Sequence, residues 1–149
     1  MRTSPDGIEF IKSWEGYRRY PYKDVGGAYT VGYGHLVLSG ENYAAGLTKS
    51  EAHSLMMEDL QVVEGDIAEH INVELSPNQY DAVSSFFYNI GATKIAAGKN
   101  TLPSLNRGDY KAFADHLLSW KNSGGKVVQG LLNRRKAERE LFLSGTYVP

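Results

Sequence analysis

Helical and strand periods alternate along this chain, and the places where the period changes outline its elements. Ile8, Ile11 and Glu15 fall at i, i+3 and i+7, so they share one face of a helix. Ser4 is placed to cap that helix, Pro5 fits its first turn and Gly16 stops it, which predicts a helix over residues 5–15. From residue 17 to about 47 the helical period is lost. Tyr29, Val31 and Tyr33 alternate with Thr30, Gly32 and Gly34 as on the two faces of a strand, and Asp24-Val25-Gly26-Gly27 reads as the turn before it.

Helical spacing then returns. Thr48 and Glu51 form a capping box ahead of Leu55, Leu60, Val63 and Ile67, which predicts a long helix over about residues 49–69. A second box, Ser76 with Gln79 and Pro77 between, precedes the stripe Tyr80, Val83, Phe87 and Ile90, closed by Gly91. Shorter helices are expected over residues 101–106 and, capped by Asp109, through Phe113, Leu117 and Trp120. Asn122-Ser123-Gly124-Gly125 reads as a loop, and a last helix runs from about 128 to 143. Helix dominates and strand is confined to one early segment, which is the α+β class. The expected organisation is a single domain over residues 1–149. It comprises a β-lobe at about 17–47, a linking helix at about 49–69, and a helical lobe at about 76–149 joined by the N-terminal helix 5–15.

Composition narrows the chemistry. There is no cysteine, so disulfides and a thiolate nucleophile are excluded. His35, His53, His70 and His116 are scattered without metal-ligand spacing, and the glycines form no phosphate-binding loop; no metal, no other cofactor and no nucleic-acid partner are expected. No apolar run resembles a secretory signal or a membrane span, so membrane insertion is not expected. Net charge is −1, yet residues 1–74 hold six Lys/Arg against twelve Asp/Glu, and residues 75–149 hold ten against five. A basic second half suits an anionic polymer, or is simply an unevenly decorated surface.

Two carboxyls stand out. Glu15 ends an apolar helix face, where loss of hydration favours the protonated form that a general acid needs. Asp24 sits in a Gly-rich turn, among solvent and backbone donors that favour the ionised form. Carboxyls in contrasting environments are the requirement of glycoside cleavage. Thr30 adds a hydroxyl on the strand face of Gly32 and Gly34, where absent side chains leave room for a ligand.

The spacing Glu15, Asp24, Thr30 resembles the catalytic triad of the phage lysozyme family, glycoside hydrolase family 24, which includes the lysozymes of T-even and lambdoid phages. Trp14-Glu15-Gly16, Tyr29-Thr30-Val31-Gly32-Tyr33-Gly34-His35-Leu36, Phe87-Tyr88-Asn89-Ile90-Gly91 and the segment Gly130 to Glu138 carry the resemblance, in family order, over about residues 5–147. It implies a peptidoglycan hydrolase that cleaves the β-1,4 bond between N-acetylmuramic acid and N-acetylglucosamine for host cell lysis. Glu15 would protonate the glycosidic oxygen, Asp24 would stabilise the transition state or assist the water, and Thr30 would hold that water. Inversion is implied, with the carboxyls roughly 6.5–9.5 Å apart. The resemblance also implies that Arg134 (or Arg135) pairs with Glu15, that Leu36, Tyr88 and Thr101 line the sugar cleft or pack between lobes, that Ala114 replaces a polar cleft residue, and that His35 is a salt-bridging support. The enzyme would be a monomer held in the host cytoplasm until a holin-type pore gives it access to the wall. The rival reading is a non-catalytic peptidoglycan-binding or virion-structural module on the same fold; loss of Glu15, Asp24 or Thr30 would favour it, and all three are present.

Overall fold

The computed structural model describes residues 1–24 and 26–149; Val25, in the predicted turn, lies outside the described residues. The helices are α1 (Pro5–Glu15), α2 (Lys49–His70), α3 (Pro77–Ile90), α4 (Ala92–Ala97), α5 (Thr101–Asn106), α6 (Tyr110–Leu117) and α7 (Gln129–Ser144). Strands β1 (Arg18–Lys23), β2 (Tyr29–Gly32) and β3 (His35–Leu36) form one antiparallel sheet in that order. Strands β4 (Asn122–Ser123) and β5 (Lys126–Val127) pair as a separate hairpin. The molecule is mainly helical with a small antiparallel sheet, the α+β class that the periodicity predicts.

The caps work as their chemistry requires. The Ser4 hydroxyl accepts from Gly7 N, and both capping boxes close reciprocally at the starts of α2 and α3. Asp109 accepts from Ala112 N at the start of α6. Two expectations need correction. The strand alternation stops at Gly32, because Tyr33 and Gly34 form the turn into β3. Strand is not confined to the early segment: Gly124 and Gly125 both take positive φ, which lets two-residue strands fold back over a tight turn. Helix α4, after Gly91, has no side-chain cap to announce it.

Burial divides α1 between two apolar clusters. Phe10 joins the large cluster built on α3, α5, α6 and α7, whereas Ile11 packs with Met56 and Leu60 of α2. The same α2 contributes Val63 and Ile67 to the large cluster, so one helix runs through both. Glu15 lies one turn beyond Ile11, at the end of α1. Gly32 of β2 closes on α2, since a Cβ there would stand 3.1 Å from the Ala52 Cβ. Its missing side chain serves helix packing, not a ligand.

Two polar clusters pin this frame. Asp81, fully buried on α3, accepts from Ser4 N at 2.8 Å and from the Tyr147 hydroxyl at 2.5 Å, and also bonds the Ser4 hydroxyl. A carboxylate there meets the positive end of the α1 dipole. His35 is held from both sides: Nδ1 lies 2.8 Å from Asp59 Oδ2 on α2, and Nε2 lies 3.0 Å from Glu41 Oε1. Burial works against the imidazolium, but the hydrogen bonds to Glu41 and Asp59 prevail and move the His35 pKa upward. Glu41 is held below the usual carboxylate range, first by the Leu38 N–H and then by His35. Burial pushes Asp59 upward against the His35 bond.

Two measurements check these roles. Asp81→Ala leaves charged-group hydrogen bonds unmade and lowers unfolding free energy by about 3 kcal/mol, read by urea titration. Because the folded-state pKa of His35 is raised, its stabilising contribution is complete below the unfolded value of about 6.5 and is lost as pH rises through the folded value. The Tm difference between wild type and His35→Asn is therefore largest near about pH 5–6 and shrinks above neutrality.

Candidate active site

Glu15 is delivered by the last turn of α1, which Gly16 terminates at φ 70. Its carboxylate meets the turn between β2 and β3 so closely that a Cβ on Gly34 would overlap it, and Gly34 also takes φ +76. Glycine is needed there on both counts. The space that the sequence suggested for a ligand at Gly34 is thus partly filled by Glu15. From the other side Arg134 Nη1 approaches Glu15 Oε2 at 2.6 Å. Arg134, not Arg135, is the partner. It is 4% exposed.

Asp24 and Thr30 come from the β1–β2 connection and from β2. Asp24 Oδ1 accepts from Ala28 N at 2.9 Å, and Gly27 N donates to Asp24 O at 3.0 Å, so the side chain is fixed by its own turn. Thr30 pairs with Tyr22 on one side and Leu36 on the other, at the centre of the sheet. Its Oγ1 is buried and has no hydrogen-bond partner among the described residues.

These residues meet in one cavity of ≈ 410 Å³, lined by Glu15, Asp24, Thr30, Leu36 and Tyr88 together with Tyr22, Gly34 and the Asn89–Gly91 segment. Leu36 is half exposed and also borders a separate open groove of ≈ 590 Å³ that Tyr29, Val37, Glu41 and Tyr43 line. Tyr88 belongs to both of its alternatives. Its ring lines the cavity, while its hydroxyl donates to Tyr33 O at 2.5 Å and ties α3 to the β2–β3 turn. Burial, and then the nearby Glu15 charge, push the Tyr88 phenol upward, so it remains a neutral donor.

Other expectations are corrected. Thr101 does not line the cavity: it is 4% exposed and its Oγ1 accepts from Trp120 Nε1 at 2.9 Å. Trp120 itself packs edge-on against Phe86 beside the large cluster, as a core residue should. Ala114 is buried in the same cluster, away from the cavity. His35 supports the sheet from behind, through Asp59 and Glu41. The basic second half is not simply a face turned to a polymer, since Arg134 and Arg135 are both buried. Sequence reasoning missed Ser85 and Glu138, which surround Arg134. The signal for Glu138 was present in the Arg-Arg-Lys-Ala-Glu spacing, which sets it at i+4 from Arg134 and i+3 from Arg135 on one helix.

Among the described residues no group of three His, Asp or Glu is placed to hold a metal ion, and no helix is long and apolar enough to cross a membrane.

Comparison with known proteins agrees with this geometry. The family model described as phage lysozyme matches residues 12–138. The endolysin of Salmonella phage P22 is 42% identical over 147 residues, covering 97% of this chain and 99% of that protein. The endolysin of Bacillus phage B103 is 37% identical over 97% of this chain, which spans 55% of that longer protein. Among solved structures, an endolysin from Escherichia coli O157:H7 phage FAHEc1 superposes with a TM-score of 0.87 at 28% identity, covering 100% of this chain and 98% of that one. A P22 lysozyme mutant gives 0.81 at 40% identity, covering 97% and 99%. With the matched segment reaching from the helix that bears Glu15 to the helix that bears Arg134, the chain belongs to the phage lysozyme family and is an enzyme of that family's kind, a lysozyme that hydrolyses peptidoglycan.

Proposed function

We propose that the chain cleaves the β-1,4 bond between N-acetylmuramic acid and N-acetylglucosamine, with inversion, to lyse a bacterial host. The observation that carries this is the meeting of Glu15, Asp24 and Thr30 in one cavity, each held by a different device. Glu15 protonates the glycosidic oxygen as the bond breaks. Asp24, fixed in its turn, offers its carboxyl group to the oxocarbenium-like transition state or takes the proton of the incoming water. The Thr30 hydroxyl, with no partner among the described residues, is the group that would hold that water. An inverting route needs a water between sugar and carboxylate, and a hydroxyl reserved for it supports that route over a covalent intermediate.

The half-exposed Leu36 and the Tyr88 ring give the sugar apolar contact. The proposed division into a β-lobe of about residues 17–47, the linking helix α2 and a helical lobe puts this cavity where sheet and helices face each other. A monomer suffices for the chemistry, because Glu15, Asp24 and Thr30 all come from one copy. Access to the wall through a holin-type pore from the host cytoplasm completes the reading.

The decisive measurement is turbidity loss of outer-membrane-permeabilised Gram-negative cells. Glu15→Gln lowers the rate by about 10²–10⁴-fold, and Asp24→Asn and Thr30→Ala lower it while the fold persists by circular dichroism. Equal rates for the wild type and all three variants reject the enzyme mechanism in favour of a binding module. Proton NMR of the first products reads stereochemistry: the α-anomer is expected, and a β-anomer would establish retention. Mass spectrometry finds a hydrolysed reducing end; an anhydro product would mark a transglycosylase instead.

A further inference from the structure

Behind the Glu15–Arg134 pair lies a second buried pair that stability alone explains poorly. Glu138 and Arg135 are both 0% exposed. Arg135 Nε stands 2.7 Å from Glu138 Oε1 as an ion pair without hydrogen-bond alignment, and Arg135 Nη2 donates to Glu138 Oε2 at 3.0 Å. The Arg135 guanidinium also lies over the Phe86 ring, 5.2 Å from its centre. The same Glu138 Oε2 accepts from Arg134 Nε at 3.3 Å and from the Ser85 hydroxyl at 2.5 Å. Arg134 Nη2 donates to Ser85 O at 3.2 Å. One guanidinium is therefore gripped on its inner edge by Glu138 and Ser85, and it presents its outer edge to Glu15.

We propose that Glu138 is a positioning residue for the reaction: it fixes the Arg134 guanidinium and shares its charge, so that Glu15 faces a partly neutralised cation and keeps its capacity to hold and release a proton. The proposal rests on the reading of Glu15 as the acid. The argument is electrostatic. An unshared cation 2.6 Å from a shielded carboxylate holds that carboxylate ionised, which disables a proton donor. With Glu138 behind it, the line Glu15, Arg134, Glu138, Arg135 alternates in sign and sums to zero when all four are ionised. Buried ion pairs are often no better for stability than well-packed apolar residues, so one placed directly behind the acid's own partner points to charge control. The other titratable groups that face the site are Tyr88 from α3 and Tyr22 and Asp24 from the sheet side. Tyr88 also feels the Arg134 charge, but burial pushes its phenol upward, away from the range in which the acid titrates, so an altered response there reports on Glu15.

The test is the pH profile of kcat/KM, whose alkaline limb follows loss of the acid's proton in the free enzyme. In Glu138→Gln the whole Arg134 charge falls on Glu15, and the limb moves to lower pH by about one unit. In Arg135→Gln the freed Glu138 turns more fully to Arg134, and the limb moves to higher pH. A merely structural Glu138 would lower Tm and leave both limbs in place, which overturns the proposal. Where the variants do not fold, carbon-13 carboxyl NMR of the wild type decides. The Glu138 signal is expected to stay constant across the pH range in which the Glu15 signal moves, and a Glu138 signal that titrates together with Glu15 or above it overturns charge sharing. A wild type inert toward peptidoglycan at every pH would instead overturn the reading of Glu15, and the NMR result would still judge Glu138.

Discussion

The pair between Glu15 and Arg134 is the contact around which this molecule is arranged. It joins residues 119 positions apart, the end of the first helix and the middle of the last. Both partners are shielded, and an ion pair out of water persists only if its geometry is enforced from outside. Enforcement is visible on each side. Gly16 stops α1 at the residue that must carry the carboxylate, and the turn at Gly34 closes over that carboxylate without a side chain in the way. Ser85 on α3 and Glu138 on α7 leave Arg134 little freedom to turn. The Glu15–Arg134 contact is thus a junction of three structural boundaries: the end of a helix, a chain reversal in the sheet, and the inner face of the last helix.

The sheet contributes fewer residues but a different kind of control. Its strands are short, and it is braced from behind by His35, which reaches Asp59 on α2 and Glu41 beyond β3. In front, Tyr88 donates to the carbonyl of Tyr33. The wall that holds Thr30 is therefore fastened to the helices at two points on opposite faces. Thr30 in the central strand and Asp24 in its own turn then need no partners from elsewhere to keep their positions.

Local chemistry was the most legible part of the sequence. Ser4, Thr48, Ser76 and Asp109 declare helix starts because a cap is made within three residues, and Gly16 and Gly91 declare stops for the same reason. The family likeness made Glu15, Asp24, Thr30 and Arg134 legible as a set. What escaped was either too short or too distant. Helix α4 and the hairpin at residues 122–127 are too brief to show a period. The buried roles of Asp81 and Glu138 depend on partners far along the chain, at Ser4, Tyr147 and Ser85, and an acidic residue inside a helix looks the same on paper whether it meets water or a buried guanidinium. Thr101 is the converse case: the family likeness left it open between a cleft and a packing residue, and only the fold shows its hydroxyl engaged by Trp120.

Asp81 has a mechanical consequence. Ser4 near one terminus and Tyr147 near the other bond the same carboxylate, so the beginning and the end of the chain are knotted to a single side chain on α3. Tension on either terminus is borne at that clasp before it reaches the apolar interior. Once the clasp parts, the start of α1 and the tail beyond α7 come loose together, exposing from both ends the helices that hold Glu15 and Arg134.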